Sequence, residues 1–223
     1  MSQTNSLPKQ KRKKTPLISG IDLFCGAGGL THGLLRGGVE ISAGVDIDPD
    51  CGFAYEHNNN AEYIQRSITE LSAVSLKKYF KKNSYTLLAG CAPCQPFSKY
   101  SKGKILDYEK WSLLKSFGNL VIKLQPTFVT MENVPQLTEH KIFDEFLDLL
   151  RKNKYFVDYK IVYCPDYGVP QNRSRLIVIA SKLNEIALIP PTHLGKKANK
   201  TTVLSAIGKL KSLPARGIDN TDP

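Results

Sequence analysis

The chain has 223 residues and a mass of 24.8 kDa, enough for one α/β domain around a buried sheet and too few for two ample ones. Hydrophobic residues at 41% and charged residues at 23% exclude a disordered or fibrous chain. No apolar run approaches the ~20 residues of a membrane span, and Pro8, Lys9, Lys11, Arg12, Lys13 and Lys14 stand where a secretory leader needs apolar residues. Five cysteines (25, 51, 91, 94 and 164) form no dense framework and suit reduced thiols in a cytoplasm, so a secreted or membrane-embedded protein is excluded. Lys and Arg exceed Asp and Glu by 31 to 20, a net charge of +11 that points to a polyanionic partner, most often nucleic acid. Five of the positive charges precede Thr15, leaving +6 for the remainder. Residues 1–16 read as a basic tail, either solvated or contacting phosphates.

In chain order, 18–24 reads as a short apolar strand, and Gly26, Gly28 and Gly29 open a helix over 30–36 that Gly37 and Gly38 stop. A second strand over 39–47 ends in acids, a helix follows from about Pro49, and another is expected over 69–80. Strand 85–89 leads into a loop rich in Cys, Pro, Ser and Gly. A helix over 111–124 precedes strand 128–131, helical periodicity returns through Ile142, Phe143, Phe146, Leu147 and Leu150, and strands 156–163 and 175–180 close the pattern. Strands alternating with helices predict a doubly wound, mainly parallel sheet covered on both faces. Ligands of such sheets bind beyond the carboxyl ends of the strands, which singles out the loops after Phe24, Asp46, Gly90 and Met131. From Pro190 the chain becomes strongly basic and is expected to stop without a terminal element, so residues 17–189 read as the domain and 190–223 as a basic extension.

The loops carry the chemistry. Asp22-Leu-Phe-Cys-Gly-Ala-Gly-Gly29 is a glycine turn between strand and helix, where backbone amides approach a ligand closely. Asp46 ends the next strand, where an acid can hydrogen-bond ribose hydroxyls. Together they suggest a nucleoside cofactor, and the spacing departs from the dinucleotide fingerprint of NAD proteins. Cys91 and Cys94 form a C-x-x-C that admits a zinc, a dithiol, a nucleophile or an inert reading; no second ligand pair supports zinc. Glu132 follows an apolar strand, where a carboxyl can hold a raised pKa and act as acid or hydrogen-bond donor. Arg173 and Arg175, two residues apart entering an apolar strand, are expected to direct both guanidinium groups to one face.

The strings DLFCGAGG, VDID, APCQPFS, MENVP and DYGVPQNRSR, in this order and spacing, resemble the DNA cytosine-5 methyltransferases over about residues 17–181, and more weakly through 192–206. The resemblance implies the Rossmann-like fold of S-adenosylmethionine-dependent methyltransferases, with no metal. Phe24, Gly26, Ala27, Gly28, Gly29 and Leu30 would cradle S-adenosylmethionine, with Asp46 on the ribose, Ile47 against the adenine, and Ser67, Ile68, Pro93 and Leu113 completing the pocket. Cys94 would be the nucleophile, Glu132 the group at ring nitrogen 3 of cytosine, and Arg175 a donor to its carbonyl oxygen, with Arg173 and Asn133 in support. Gln95, Ser98, Ser101 and Lys102 would form a loop over duplex DNA, from which the target cytosine is flipped. S-adenosylhomocysteine would be the product.

Two departures from the family pattern stand out. Ser67 occupies the position where an acid commonly meets the adenine amino group, and a hydroxyl accepts more weakly than a carboxylate. The family's target-recognition region and its returning C-terminal segments have no counterpart before Pro223. The expectation is therefore the modification enzyme of a bacterial restriction-modification system acting in the cytoplasm, or one chain of it with a second polypeptide supplying readout. The alternatives are an incomplete cofactor-binding fragment, inactive alone, and a methyltransferase acting on RNA. Without the missing segments, apolar surface near the first helix is expected to be exposed and to call for a partner.

Overall fold

The computed structural model describes residues 17–93, 107–194 and 200–210. Seven strands form one sheet: β1 (Ile18–Leu23), β2 (Glu40–Asp46), β3 (Glu62–Gln65), β4 (Tyr85–Gly90), β5 (Phe128–Asn133), β6 (Phe156–Tyr163) and β7 (Ser174–Ser181). Their order is β3-β2-β1-β4-β5-β7-β6. The pairs β1–β2, β2–β3, β1–β4 and β4–β5 are parallel, while β7 runs antiparallel to both β5 and β6. The expectation of a mainly parallel, doubly wound sheet holds. The strand order reverses between β1 and β4, so the loops after these strands diverge and leave a crevice at their carboxyl ends.

The helices are α1 (Gly29–Arg36), α2 (Gly52–Asn59), α3 (Ala73–Lys77), α4 (Asp107–Leu124), α5 (Lys141–Lys152) and α6 (Val203–Ile207). Leu114, Phe117, Leu120 and Val121 of α4 join Phe143, Phe146, Leu147 and Leu150 of α5 over one face of the sheet, packing on Ile21, Leu23, Leu88, Val129, Met131, Leu176 and Val178. These strand positions alternate along the chain and share a face by register. The opposite face carries Asp22 and Gly44, which are register partners. A Cβ at Gly44 would lie 2.3 Å from the Tyr55 ring of α2, so only glycine admits this helix–sheet approach. Thr31 of α1 reaches the same face through its hydrogen bond to Asp22. Helices α1 and α2 thus cover β1 and β2, whereas over β5 and β7 the residues Phe128, Thr130, Ile177 and Ile179 are only half-buried.

Four departures from the sequence expectations have local causes. The helix over 69–80 reduces to α3, because a 3₁₀ turn at Ile68–Glu70 ends with Leu71 in extended backbone and Ser72 then caps a new start by accepting from the Ser75 amide. Strand β3 had no periodic signal: it has four residues, none fully buried, and among the described residues it pairs only with β2. Glu132 lies within β5, which extends to Asn133 through pairing with β7. The segment after Pro190 includes a terminal element, α6, with Thr202 and Ser205 forming a reciprocal cap. Among the described residues no helix is long and apolar enough to cross a membrane.

Candidate active site

The glycine turn after β1 is strained where it meets the crevice. Phe24 sits at φ 59°, a left-handed conformation that costs a non-glycine residue about 1–2 kcal/mol and persists because the surroundings fix it. The backbone amide of Cys25 bonds the Val45 carbonyl at 3.2 Å, locking this turn to β2. Gly28 caps α1 at φ 93°, and a Cβ there would lie 2.2 Å from Asn59 Nδ2 and 2.9 Å from the Tyr55 ring. Beneath the turn, Asp22 is fully buried; its Oδ2 accepts from the Thr31 hydroxyl at 2.7 Å, which also meets the Tyr55 hydroxyl at 3.1 Å. Among the described residues its Oδ1 has no hydrogen-bond partner. Burial pushes the Asp22 carboxyl up to about 7, partly offset by the Thr31 bonds and reinforced by the Asp46 charge. The same burial raises the Cys25 thiol and the Tyr55 phenol above their ordinary ranges.

Asp46 is the anchor of the crevice. Its Oδ2 accepts from the Gly26 amide at 2.9 Å, and its Oδ1 accepts from the amides of Ile47 at 2.7 Å and Asp48 at 3.2 Å. One carboxylate therefore ties the β1 turn to the end of β2. Around it lies a cleft of about 300 Å³ lined by Phe24, Val45, Asp46, Ile47, Arg66, Ser67, Ile68, Cys91, Pro93 and Leu113. The lining comes from the carboxyl ends of β1, β2, β3 and β4 and from α4. Its size lies at the lower end of small-molecule sites, and its composition matches one: apolar walls with a few polar groups. Ser67 is committed locally, since its Oγ accepts from the Thr69 amide at 3.3 Å and meets the Thr69 hydroxyl at 2.8 Å.

A second cluster adjoins the cleft. Arg175 Nε donates to Glu132 Oε1 at 2.7 Å, with both side chains about four-fifths buried (18% and 23% exposed). Cys91 Sγ donates to Glu132 Oε2 at 2.6 Å. Asn133 Nδ2 donates to the Ala92 carbonyl at 3.0 Å, and Asn133 Oδ1 accepts from the Val134 amide at 2.8 Å, which pins the loop after β4 against the end of β5. A charge-assisted, nearly dry carboxylate–guanidinium pair of this kind can accept and donate hydrogen bonds to a planar polar ligand.

Of the residues singled out in the sequence, the structure brings Phe24, Asp46, Ile47, Ser67, Ile68, Pro93 and Leu113 to one cleft. Gly26, Ala27, Gly28, Gly29 and Leu30 form the turn and first helical residues beside it without being part of its lining. Glu132 and Arg175 meet directly, and Asn133, the next residue of β5, bonds the loop after β4 instead. Arg173 directly precedes β7 and is exposed, its backbone carbonyl accepting from the Cys164 amide, whereas Arg175 is largely buried against Glu132. Cys94, Gln95, Ser98, Ser101 and Lys102 lie outside the described residues, as does the tail at 1–16. Val45, Arg66 and the contact between Cys91 and Glu132 were missed. Arg66 follows β3 directly, so recognising that strand would have found it; the Cys91 contact spans 41 residues and had no local signal. Among the described residues no group of three His, Cys, Asp or Glu side chains could hold a metal ion.

The model of the C-5 cytosine-specific DNA methylases matches residues 18–221. The chain is 44% identical over 193 residues to the Type II methylase M.HgiDII of Herpetosiphon aurantiacus, covering 85% of this chain and 54% of that protein. It is 33% identical over 199 residues to the Type II methyltransferase M.XorII of Xanthomonas oryzae pv. oryzae, covering 86% and 46%. Among solved structures, a protein encoded within an E. coli prophage and described as a DNA modification methyltransferase superposes with a TM-score of 0.71 at 28% identity, over 88% of this chain and 56% of that one. The chain spans about half the length of these relatives. The sheet with its strand-end cleft and the family match over nearly every described residue agree, and the chain belongs to the C-5 cytosine-specific DNA methylases.

Proposed function

We propose that this chain carries the catalytic and cofactor-binding half of a DNA cytosine-5 methyltransferase of a bacterial Type II modification system, acting in the cytoplasm on duplex DNA. The observation that carries the reading is the Glu132–Arg175 pair joined through Cys91 to the strand-end cleft, three residues before Cys94. The cleft suits S-adenosylmethionine: Phe24, Ile47, Ile68 and Leu113 offer apolar surface to an adenine, Asp46 faces it with a carboxylate for ribose hydroxyls, and the glycine turn brings backbone amides close. When bound there, the cofactor supplies an electrophilic methyl group.

The residues then divide the work. Carbon 5 of cytosine is a weak nucleophile until the Cys94 thiolate adds at carbon 6. Glu132 meets ring nitrogen 3 and Arg175 the carbonyl oxygen, stabilising the charge that gathers there. The ion pair brings both groups together at one strand end before the base arrives, which limits the reorganisation that accompanies the addition. After carbon 5 has been methylated, its proton passes to a water molecule, the C–H electron pair re-forms the ring double bond, and the Cys94 thiolate leaves carbon 6 with the C–S pair. Asn133 holds the loop after β4 through the Ala92 carbonyl, and Gln95, Ser98, Ser101 and Lys102 are the residues assigned to contact the DNA. The half-buried strip at Phe128, Thr130, Ile177 and Ile179 supports packing of a further segment or a second polypeptide that carries target recognition.

The test uses labelled S-adenosylmethionine, duplex DNA containing 5-fluorocytosine, and transfer RNA in parallel, with and without the polypeptide encoded next to this one. A covalent adduct on DNA that is lost in Cys94→Ala supports the assignment. An adduct surviving that change refutes the nucleophile, and label confined to RNA refutes the substrate.

A further inference from the structure

The grip on Glu132 comes from two directions, and only one belongs to the chemistry above. Arg175 reaches Oε1 from β7, while Oε2 accepts from Cys91, the first residue after β4. Cys91 also lines the strand-end cleft beside Phe24, Asp46 and Leu113. It therefore stands at the wall between the two halves of the site. Its backbone is fixed independently, because the Cys91 amide donates to the Leu23 carbonyl at the end of β1 at 3.2 Å, and the Asn133 amide group holds the next carbonyl, that of Ala92.

A carboxylate bonded through one oxygen alone can still swing about its terminal torsion, which is broad and weakly restrained. A second donor on the other oxygen removes that freedom and fixes the plane of the group. We propose that Cys91 is a positioning residue: its thiol holds Glu132 by the second carboxylate oxygen and ties that hold to the occupancy of the cofactor cleft. The inference rests on the methylase reading for what Glu132 does, and on the geometry alone for what holds it.

Hydrogen-bond donation and packing are separated by the pair Cys91→Ser and Cys91→Ala, which are close in size while only serine keeps a donor. In steady-state methyl transfer, Cys91→Ala is expected to lower kcat about tenfold, equivalent to about 1.4 kcal/mol, with KM for DNA within twofold. Cys91→Ser is expected to restore at least half of the lost rate. Equal rates in the two variants would overturn the role.

A second arm needs no turnover. The S–H stretch absorbs in an infrared window free of other protein bands, and the difference between the wild type and Cys91→Ser isolates this one thiol. Its band is expected to be broadened and lowered in frequency, to move upward in Glu132→Gln, and to shift when S-adenosylhomocysteine fills the cleft. A band indifferent to Glu132→Gln would overturn the hydrogen bond, and one indifferent to S-adenosylhomocysteine would overturn the coupling. Should the wild-type chain transfer no methyl group to any substrate while the band behaves as described, the methylase reading of this chain fails and the positioning of Glu132 stands.

Discussion

Replacing Asp22 by Asn should convert a pH-dependent chain into a flatter one. Asp22 is fully buried, accepts from Thr31 through Oδ2 and, among the described residues, leaves Oδ1 without a hydrogen-bond partner, so its ionised form is poorly compensated. Burial pushes its carboxyl from 3.8 to about 7 in the folded chain, and the unfolded chain keeps the ordinary value. Between these limits the folded state binds more protons than the unfolded one. Stability from this group is therefore complete below about pH 4, declines as pH rises, and is lost above about pH 7. At about 1.4 kcal/mol per decade of proton activity, the interval amounts to at most about 4 kcal/mol. Asparagine has the same shape, can accept from Thr31 through its oxygen, and never ionises. The assay is urea unfolding of both proteins at pH 5, 6, 7 and 8, taking the difference between them so that every other titrating group cancels. Asp22→Asn is expected to gain on the wild type steadily with pH, reaching an advantage of about 2–4 kcal/mol at pH 8 over its value at pH 5. A difference that stays constant across this range, or that changes in the wild type's favour, would refute the assignment of a buried, protonated Asp22.

Gly28→Ala should cost about 3 kcal/mol, combining a left-handed alanine with a Cβ driven into the buried Asn59 and Tyr55 side chains, and should appear as a lowered urea midpoint with an unchanged slope. Asp46→Ala frees the amides of Gly26, Ile47 and Asp48 and is expected to weaken S-adenosylhomocysteine binding at least tenfold by calorimetry and, because the tie between the β1 turn and β2 is lost, to lower the urea midpoint. Glu132→Gln keeps the side chain's shape but removes its charge opposite Arg175; methyl transfer should fall by about 10²–10⁴, with cofactor affinity within twofold. Arg175→Lys keeps the charge but not the planar fork, and should lower kcat about tenfold rather than leave it unchanged.

Much of this protein is readable from the order of its residues. Alternating apolar strands and amphipathic helices foretold the doubly wound sheet, because burying a sheet on both faces demands that pattern, as the five inward positions of α5 show. The glycine turn and Asp46 were legible because strand-to-helix turns impose their composition locally, and the strings around Glu132 and Arg175 were legible through family resemblance. What needed the tertiary structure was whatever depends on strands distant in sequence lying side by side. Strand β3, short and without a buried residue, is held by pairing with β2 rather than by its own pattern, and with it Arg66 enters the cleft. Arg175 is largely buried because β7, antiparallel to β5, carries it to Glu132, while Arg173 just before the strand is exposed. The contact of Cys91 with Glu132 exists because β4 lies parallel to β5, bringing residues 41 positions apart to one strand end. Local sequence sets conformation and facing; register between strands sets which polar groups meet, and the chemistry of this site depends on that meeting.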